Sequence, residues 1–384
     1  MEKKYKTFRQ RLTILRDRGM EIPTNSNKQR RILKEYNYYN LINAYKNPFL
    51  EDKNNYPGHA NRNEDYYKRG TKPEHLEAVY LFDVALRSLF FPYLLKIEEN
   101  LKIVLVESFY NVHSHIDLHK ESEYFKRQYY NLVEFSSWSV QEKSGYKYIS
   151  TTPVQYDRNV MLNPPYELKF DNTKIYDEYI VMVYRAMGQQ RSKNQSIKKY
   201  LNEHTYIPMW VLMNLLTFGN VNKLFQIQTI DVQKNILNYY GINNSNSINT
   251  PLDILNFTNV LNILSIYRNI CAHNERLYCF QVRMNISDNF MGYLDIFPES
   301  QAIHDARNNR RSLQHSKRDK IARGRKGILT LMFGLKLLLP RSDFKKIKNE
   351  LKKELHKLSS KISLDAYETV LKEMGIDKNW HTYL

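Results

Sequence analysis

The sequence predicts an all-α fold, a helical bundle with N-terminal helices, a partly irregular insertion and a C-terminal helical extension. Three observations predict it. Apolar residues recur close to every 3.6 positions over long stretches, above all Phe82 to Leu105 and Leu252 to Cys271. Residues that start and stop helices bracket such stretches, with Thr71-Lys-Pro-Glu74 and Thr250-Pro-Leu-Asp253 at beginnings and Gly19, Gly219 and Gly241 at ends. Alternating, strand-like runs are short and confined to residues 122–180. With 384 residues and 42% hydrophobic content the chain can bury a sizeable core. The pattern divides it into an N-terminal segment (1–70), a main helical domain (71–340, with insertions around 112–178 and 285–326) and an extension (341–384).

Taken in order, Phe8, Leu12 and Leu15 lie at helical spacing among basic residues, and Gly19 stands where that helix should stop. Lys28 to Tyr45 continues the theme with a stripe of Ile32, Leu33, Tyr36, Tyr39 and Ile42, and its basic positions read as a solvated face. Asn47 to Gly70, rich in Asn and poor in aliphatics, reads as an exposed loop. Thr71 and Glu74 have the spacing of a capping box, and the long helix that follows should kink or break at Pro92. Arg87, Glu98 and Glu99 sit on or beside its apolar face, where a charge must be paired, so ion pairing inside the bundle is expected of them.

In His113-Ser-His115-Ile-Asp117-Leu-His119, His115 and His119 could share one helical face, but no second ligand cluster follows, so a polar helix end is expected and no metal. Residues 122–180 form an irregular insertion with hairpin candidates at Tyr146-Lys-Tyr-Ile149 and Tyr166-Glu-Leu-Lys-Phe170. Helical pattern resumes at Tyr179. Ile207 to Gly219 reads as one buried helix between a proline and a glycine. Asp231 to Tyr240 is another, and Thr250 opens a helix of about six turns. Gly327 to Leu339 is a strongly apolar helix ended by Pro340, and Phe344 to Met374 is an amphipathic pair.

A net charge of +18 and many aromatic residues, 30 Tyr and 17 Phe, point to a polyanionic partner. The densest basic run comprises Arg307, Arg310, Arg311, Lys317, Arg318, Lys320, Arg323, Arg325 and Lys326, just before the helix at Gly327. It is either an anion site at a helix N-terminus or a solvated basic loop. The two cysteines, Cys271 and Cys279, lack metal-ligand spacing and suit a reducing cytoplasm. The N-terminus has no apolar signal core, and the most lipid-like run, Gly327 to Pro340, is too short to span a bilayer, so no membrane association is expected.

One pair carries candidate chemistry. Arg268 and His273, separated by four residues in Arg-Asn-Ile-Cys-Ala-His, supply a permanent cation for phosphate and a group that transfers protons near neutral pH. Together with Asn269 as an orienting group they could cleave RNA through its own 2′-hydroxyl, with no cofactor. A regular helix points positions 268 and 273 roughly 140° apart. Convergence therefore needs a helix that loosens before His273 or two chains that each give half a site. On spacing alone, a surface arginine and a helix-capping histidine are the favoured explanation of the pair.

Tyr267-Arg-Asn-Ile-Cys-Ala-His-Asn-Glu-Arg276 resembles the signature of HEPN ribonucleases as carried by the Abi family of phage-exclusion proteins, in its AbiD and AbiF group. Leu12-x-x-Leu15-x-x-Arg18-Gly19, Leu81-Phe-Asp-x-x-Leu-Arg87 with Ile97-Glu98, Pro208-x-Trp210 with Leu216-Thr-Phe-Gly219, and Leu337-Leu-Leu-Pro340 agree in order, so the resemblance runs from about residue 8 to 345. It implies an all-α HEPN bundle, usually dimeric, and a metal-independent endoribonuclease of abortive infection or toxin–antitoxin type. It places the catalytic roles on Arg268, Asn269 and His273, and implies RNA as substrate and a small noncoding RNA as a bound partner. Some such toxins carry a modifiable tyrosine two residues after the histidine; here Glu275 stands there. The alternative reading is a noncatalytic RNA-binding protein of the same fold. A DNA-binding protein is a third reading, with no recognisable motif.

Overall fold

The computed structural model of the chain describes residues 5–23, 27–56, 63–113, 118–132, 138–143, 146–151, 172–193, 195–242, 250–282, 327–382 and 384. Among these the fold is all-α, with one two-stranded hairpin as its regular exception. The basic run from Arg307 to Lys326 and the Tyr166–Phe170 strand candidate lie outside the described residues.

Helix α1 (Phe8–Asp17) is started by Thr7, whose hydroxyl accepts from Gln10 N while Gln10 Oε1 accepts from Thr7 N. It stops at Gly19, as expected, in a left-handed conformation with φ 91°. The apolar stripe from Lys28 to Tyr45 makes two helices, α2 (Asn27–Glu35) and α3 (Tyr38–Tyr45). Asn37 divides them, because its side chain accepts from Tyr39 N and Asn40 N and caps the second. The segment after α3 is less exposed than its composition predicts. Pro48, Phe49 and Tyr67 are buried, and Lys68 N donates to Phe49 O at 2.9 Å, so two aromatic side chains tie this polar stretch to the core.

Helix α4 (Pro73–His113) is the axis of the bundle, 41 residues long. Its start differs from the capping box read in the sequence. Glu74 turns to α2, accepting from Gln29 Nε2 at 2.6 Å, and His75 Nδ1 instead accepts from Lys72 N. The helix also runs unbroken through Pro92. The carbonyl that Pro92 cannot serve belongs to Ser88, and both residues are exposed, so water can take the place of the lost donor. By length and composition α4 could cross a membrane, a longer apolar element than the Gly327–Pro340 run. Here it is the helix on which the others pack, and it buries Asp83, Arg87, Glu98 and Lys102 along its length.

After α5 (Glu121–Tyr124), strands β1 (Trp138–Lys143) and β2 (Tyr146–Thr151) pair antiparallel with Val140 opposite Ile149, which accounts for the Tyr146–Ile149 alternation. Helix α6 (Asn172–Lys193) begins earlier than its apolar pattern, since Asn172 Nδ2 and Thr173 Oγ1 bond the carbonyls of Asn131 and Leu132 and fix the first turn. α7 covers Gln195–Glu203.

The single helix expected over 207–219 is instead α8 (Met209–Leu212), a 3-10 turn (Met213–Leu215) and α9 (Phe218–Gln226). Thr217 caps α9 by accepting from Asn220 N, which puts Gly219 inside a first turn rather than past an end. α10 (Ile230–Tyr239) closes on Gly241 with φ 73°, as its sequence predicts. Helix α11 (Thr250–Ala272) then packs on α4, α9 and the buried α12 (Ile328–Leu338). At the α11–α12 contact a Cβ on Gly334 would stand 2.8 Å from Leu264 Cδ2, so the glycine sets how closely the helices approach. The expected amphipathic pair, α13 (Arg341–Ser359) and α14 (Leu364–Glu373), covers the other side of α4 and the N-terminal segment.

Candidate active site at the end of the motif helix

The last turns of α11 have two faces. Tyr267 and Ile270 are buried, while Asn269 and His273 are exposed and Arg268 lies between. Burial of the first pair fixes the rotation of the helix and so decides that the polar residues face outward.

Arg268 is held from α4. Its Nε donates to Glu98 Oε2 at 3.2 Å, and its Nη1 reaches Asn269 Oδ1 at 3.4 Å. Glu98 is itself nearly enclosed, with a side chain 6% exposed, and lies 3.4 Å from Lys102, whose ammonium also meets Glu99 at 3.0 Å. The pairing expected for Glu98 therefore exists, and one of its partners is the candidate catalytic arginine. The Arg268 side chain remains 24% exposed, so a guanidinium anchored through Nε still faces solvent. An arginine so placed could hold a phosphate with its direction fixed.

His273 sits at the C-cap. The helix does not loosen before it, since His273 N donates to Asn269 O at 2.9 Å in regular register. Asn274 then takes a left-handed φ of 56°, and Glu275 N returns to Ile270 O at 3.0 Å. This is the closure that Gly19 and Gly241 give α1 and α10, made here by an asparagine. The imidazole has no hydrogen-bond or ion-pair partner among the described residues. No hydrogen bond links the Arg268 guanidinium to the His273 imidazole among the described residues, and the regular helix sets the two positions roughly 140° apart.

The chain leaving the site is clamped. Asp83, fully buried on α4, accepts from Leu277 N at 3.0 Å, Tyr278 N at 2.7 Å and Tyr45 Oη at 2.8 Å, and pairs with Arg87. Arg87 also donates to Glu275 O at 3.0 Å. Burial pushes the Asp83 carboxyl pKa up, while Arg87 and the N–H donors pull it down. Arg276 Nη1 bonds the Ala44 carbonyl, and Tyr278 stacks on Tyr45 with centroids 5.8 Å apart. Sequence reading paired Arg87 inside the bundle correctly but gave no role to Asp83 or Asn274. The Asp–Arg spacing of four inside an apolar run was the available signal for the first.

Cys271 and Cys279 are free and half-buried. Among the described residues no group of His, Cys, Asp and Glu is placed to hold a metal ion, and His115 lies outside them.

Against known proteins, a family model described as Abi-like protein matches residues 31–279, about two thirds of the chain and inclusive of Arg268, Asn269 and His273. No curated protein and no solved structure matches.

Proposed function

We propose that this chain, which belongs to the Abi-like protein family, is an abortive-infection endoribonuclease of the HEPN type that acts in the cytoplasm as a homodimer and cleaves RNA without a metal ion. The observation that carries the reading is the state of the two residues. Arg268 is anchored by Glu98 with its outer face free, and His273 is exposed and unpartnered among the described residues at an ordered helix end.

In this mechanism His273 takes the proton of a ribose 2′-hydroxyl, and the 2′-oxygen attacks the adjacent phosphorus. The bond from phosphorus to the 5′-oxygen breaks, leaving a 2′,3′-cyclic phosphate and a 5′-hydroxyl. His273, protonated by that transfer, returns the proton to the leaving 5′-oxygen, Arg268 balances charge on the non-bridging oxygens, and Asn269 keeps Arg268 in place. In this reading, which the regular helix up to His273 supports, the site forms across the dimer, with Arg268 from one chain facing His273 from the other. The basic residues from Arg307 to Lys326 supply RNA affinity, toward substrate and a bound small noncoding RNA. They enter the described fold at Gly327, whose carbonyl accepts from the hydroxyl of Tyr267, the residue before Arg268 in sequence.

A second reading, a noncatalytic RNA-binding protein, draws on the separation of the two side chains within one chain. Product chemistry decides between them. Incubated with a defined RNA in chelator, the protein should generate cyclic phosphate and 5′-hydroxyl ends. Products with 5′-phosphates, or an RNA left whole under every condition, would overturn the ribonuclease reading.

A further inference from the structure

The positive charge of the chain is concentrated. Residues 1–46 hold twelve Lys and Arg against four Asp and Glu, and residues 307–326 hold nine against one, which leaves a surplus of only two for the rest of a chain whose net charge is +18. Apart from Lys3 and Lys4, which lie outside the described residues, the N-terminal share lies on α1 and α2 or just beside α1–α3, where the structure shows what surrounds it.

Two features of these helices go beyond a solvated face. The guanidinium of Arg11 lies over three rings, 5.2 Å from the centroid of Tyr5, 5.4 Å from Phe8 and 4.9 Å from Tyr38. This fixes aromatic surface at the protein's edge, since Tyr5 is 76% exposed, and Tyr39 next to Tyr38 is 70% exposed. Lys6, Arg9, Arg30 and Lys34 are exposed, and their side chains make no ion pair or hydrogen bond among the described residues. The other described cations of the segment are engaged, Arg16 with two carbonyls and Lys46 with Asp65 among them. Fixed rings beside uncommitted cations are what unpaired bases and their phosphates bind.

The last of these helices, α3, adjoins the candidate active site. Ala44 of α3 receives the hydrogen bond from Arg276, three residues past His273, and Tyr45 stacks on Tyr278.

We propose that α1–α3 form a track for single-stranded RNA, a base stacking on the Tyr5 ring and the backbone following the free cations, that leads the strand to His273. The inference rests on the ribonuclease reading for its destination, though not for its binding chemistry. A membrane surface fits less well, because the exposed rings here are chiefly tyrosines, with no aliphatic anchor among them.

The test uses the full chain carrying His273→Ala, so that no cleavage intervenes, and the anisotropy of a fluorescein-labelled single-stranded RNA of about 20 nucleotides. Joint replacement of Lys6, Arg9, Arg30 and Lys34 by serine should weaken binding at least roughly tenfold and flatten the log–log salt dependence by about two to three. Tyr5→Ala should cost roughly fivefold or more, and Tyr5→Phe, which keeps the ring face, should bind as the parent does. Unchanged affinity and salt slope in the serine variant would overturn the proposal. So would loss of binding to anionic phosphatidylserine vesicles with RNA binding intact. RNA left whole by the wild-type chain under every condition would strike the ribonuclease reading while leaving this binding result untouched.

Discussion

Glu98 and Arg268, 170 residues apart in sequence, meet at 3.2 Å in a pocket that leaves only 6% of the glutamate side chain exposed. A carboxylate so enclosed, with Lys102 on its other oxygen, fixes where the arginine can point. Glu98→Gln keeps the shape but removes the charge between two cations. It should lower stability by roughly 2 kcal/mol in denaturant unfolding and reduce RNA cleavage at least tenfold. Full activity with unchanged stability would show that Arg268 does not depend on Glu98.

Asp83 is the corresponding anchor for the segment that leaves the site. Asp83→Asn weakens four contacts and leaves Arg87 buried without its anion. A loss of roughly 3–5 kcal/mol is expected. Amide exchange at Leu277 and Tyr278 should rise with it, and protected amides there would contradict the clamp.

Burial pushes the Cys271 thiol up to about 12 and the Cys279 thiol up to about 11, from an ordinary 9.0. A raised folded-state pKa means that folding favours the neutral thiols. Their contribution to stability is full below pH 9 and is lost as pH climbs through 11 and 12. At pH 8 the folded protein should react with a thiol reagent roughly 100-fold more slowly than the denatured chain. Equal rates would show that the thiols are not held as described.

Legibility in the sequence followed how local each determinant was. α4 and α11 could be read because their apolar period persists over many turns and Thr250-Pro251 marks a beginning. The break between α8 and α9 could not, because Pro208 and Gly219 have the look of terminators and only the Thr217 cap divides the run. Burial of Phe49 and Tyr67 in an otherwise polar stretch depends on distant partners, as does the early start of α6. At the candidate site Arg268, Asn269 and His273 were identifiable by residue type and by resemblance. That a charge at Glu98 needs a partner was readable, but the identity of that partner was set by the packing of α11 on α4.

The most direct measurement compares Arg268→Ala, His273→Ala and a refolded equimolar mixture of the two, each incubated with RNA in chelator. Each variant alone should fail to cut. The mixture should recover about a quarter of the wild-type rate, because half of its dimers rebuild one of two intact sites. Cutting by His273→Ala at the wild-type rate would contradict the assignment of chemistry to Arg268 and His273.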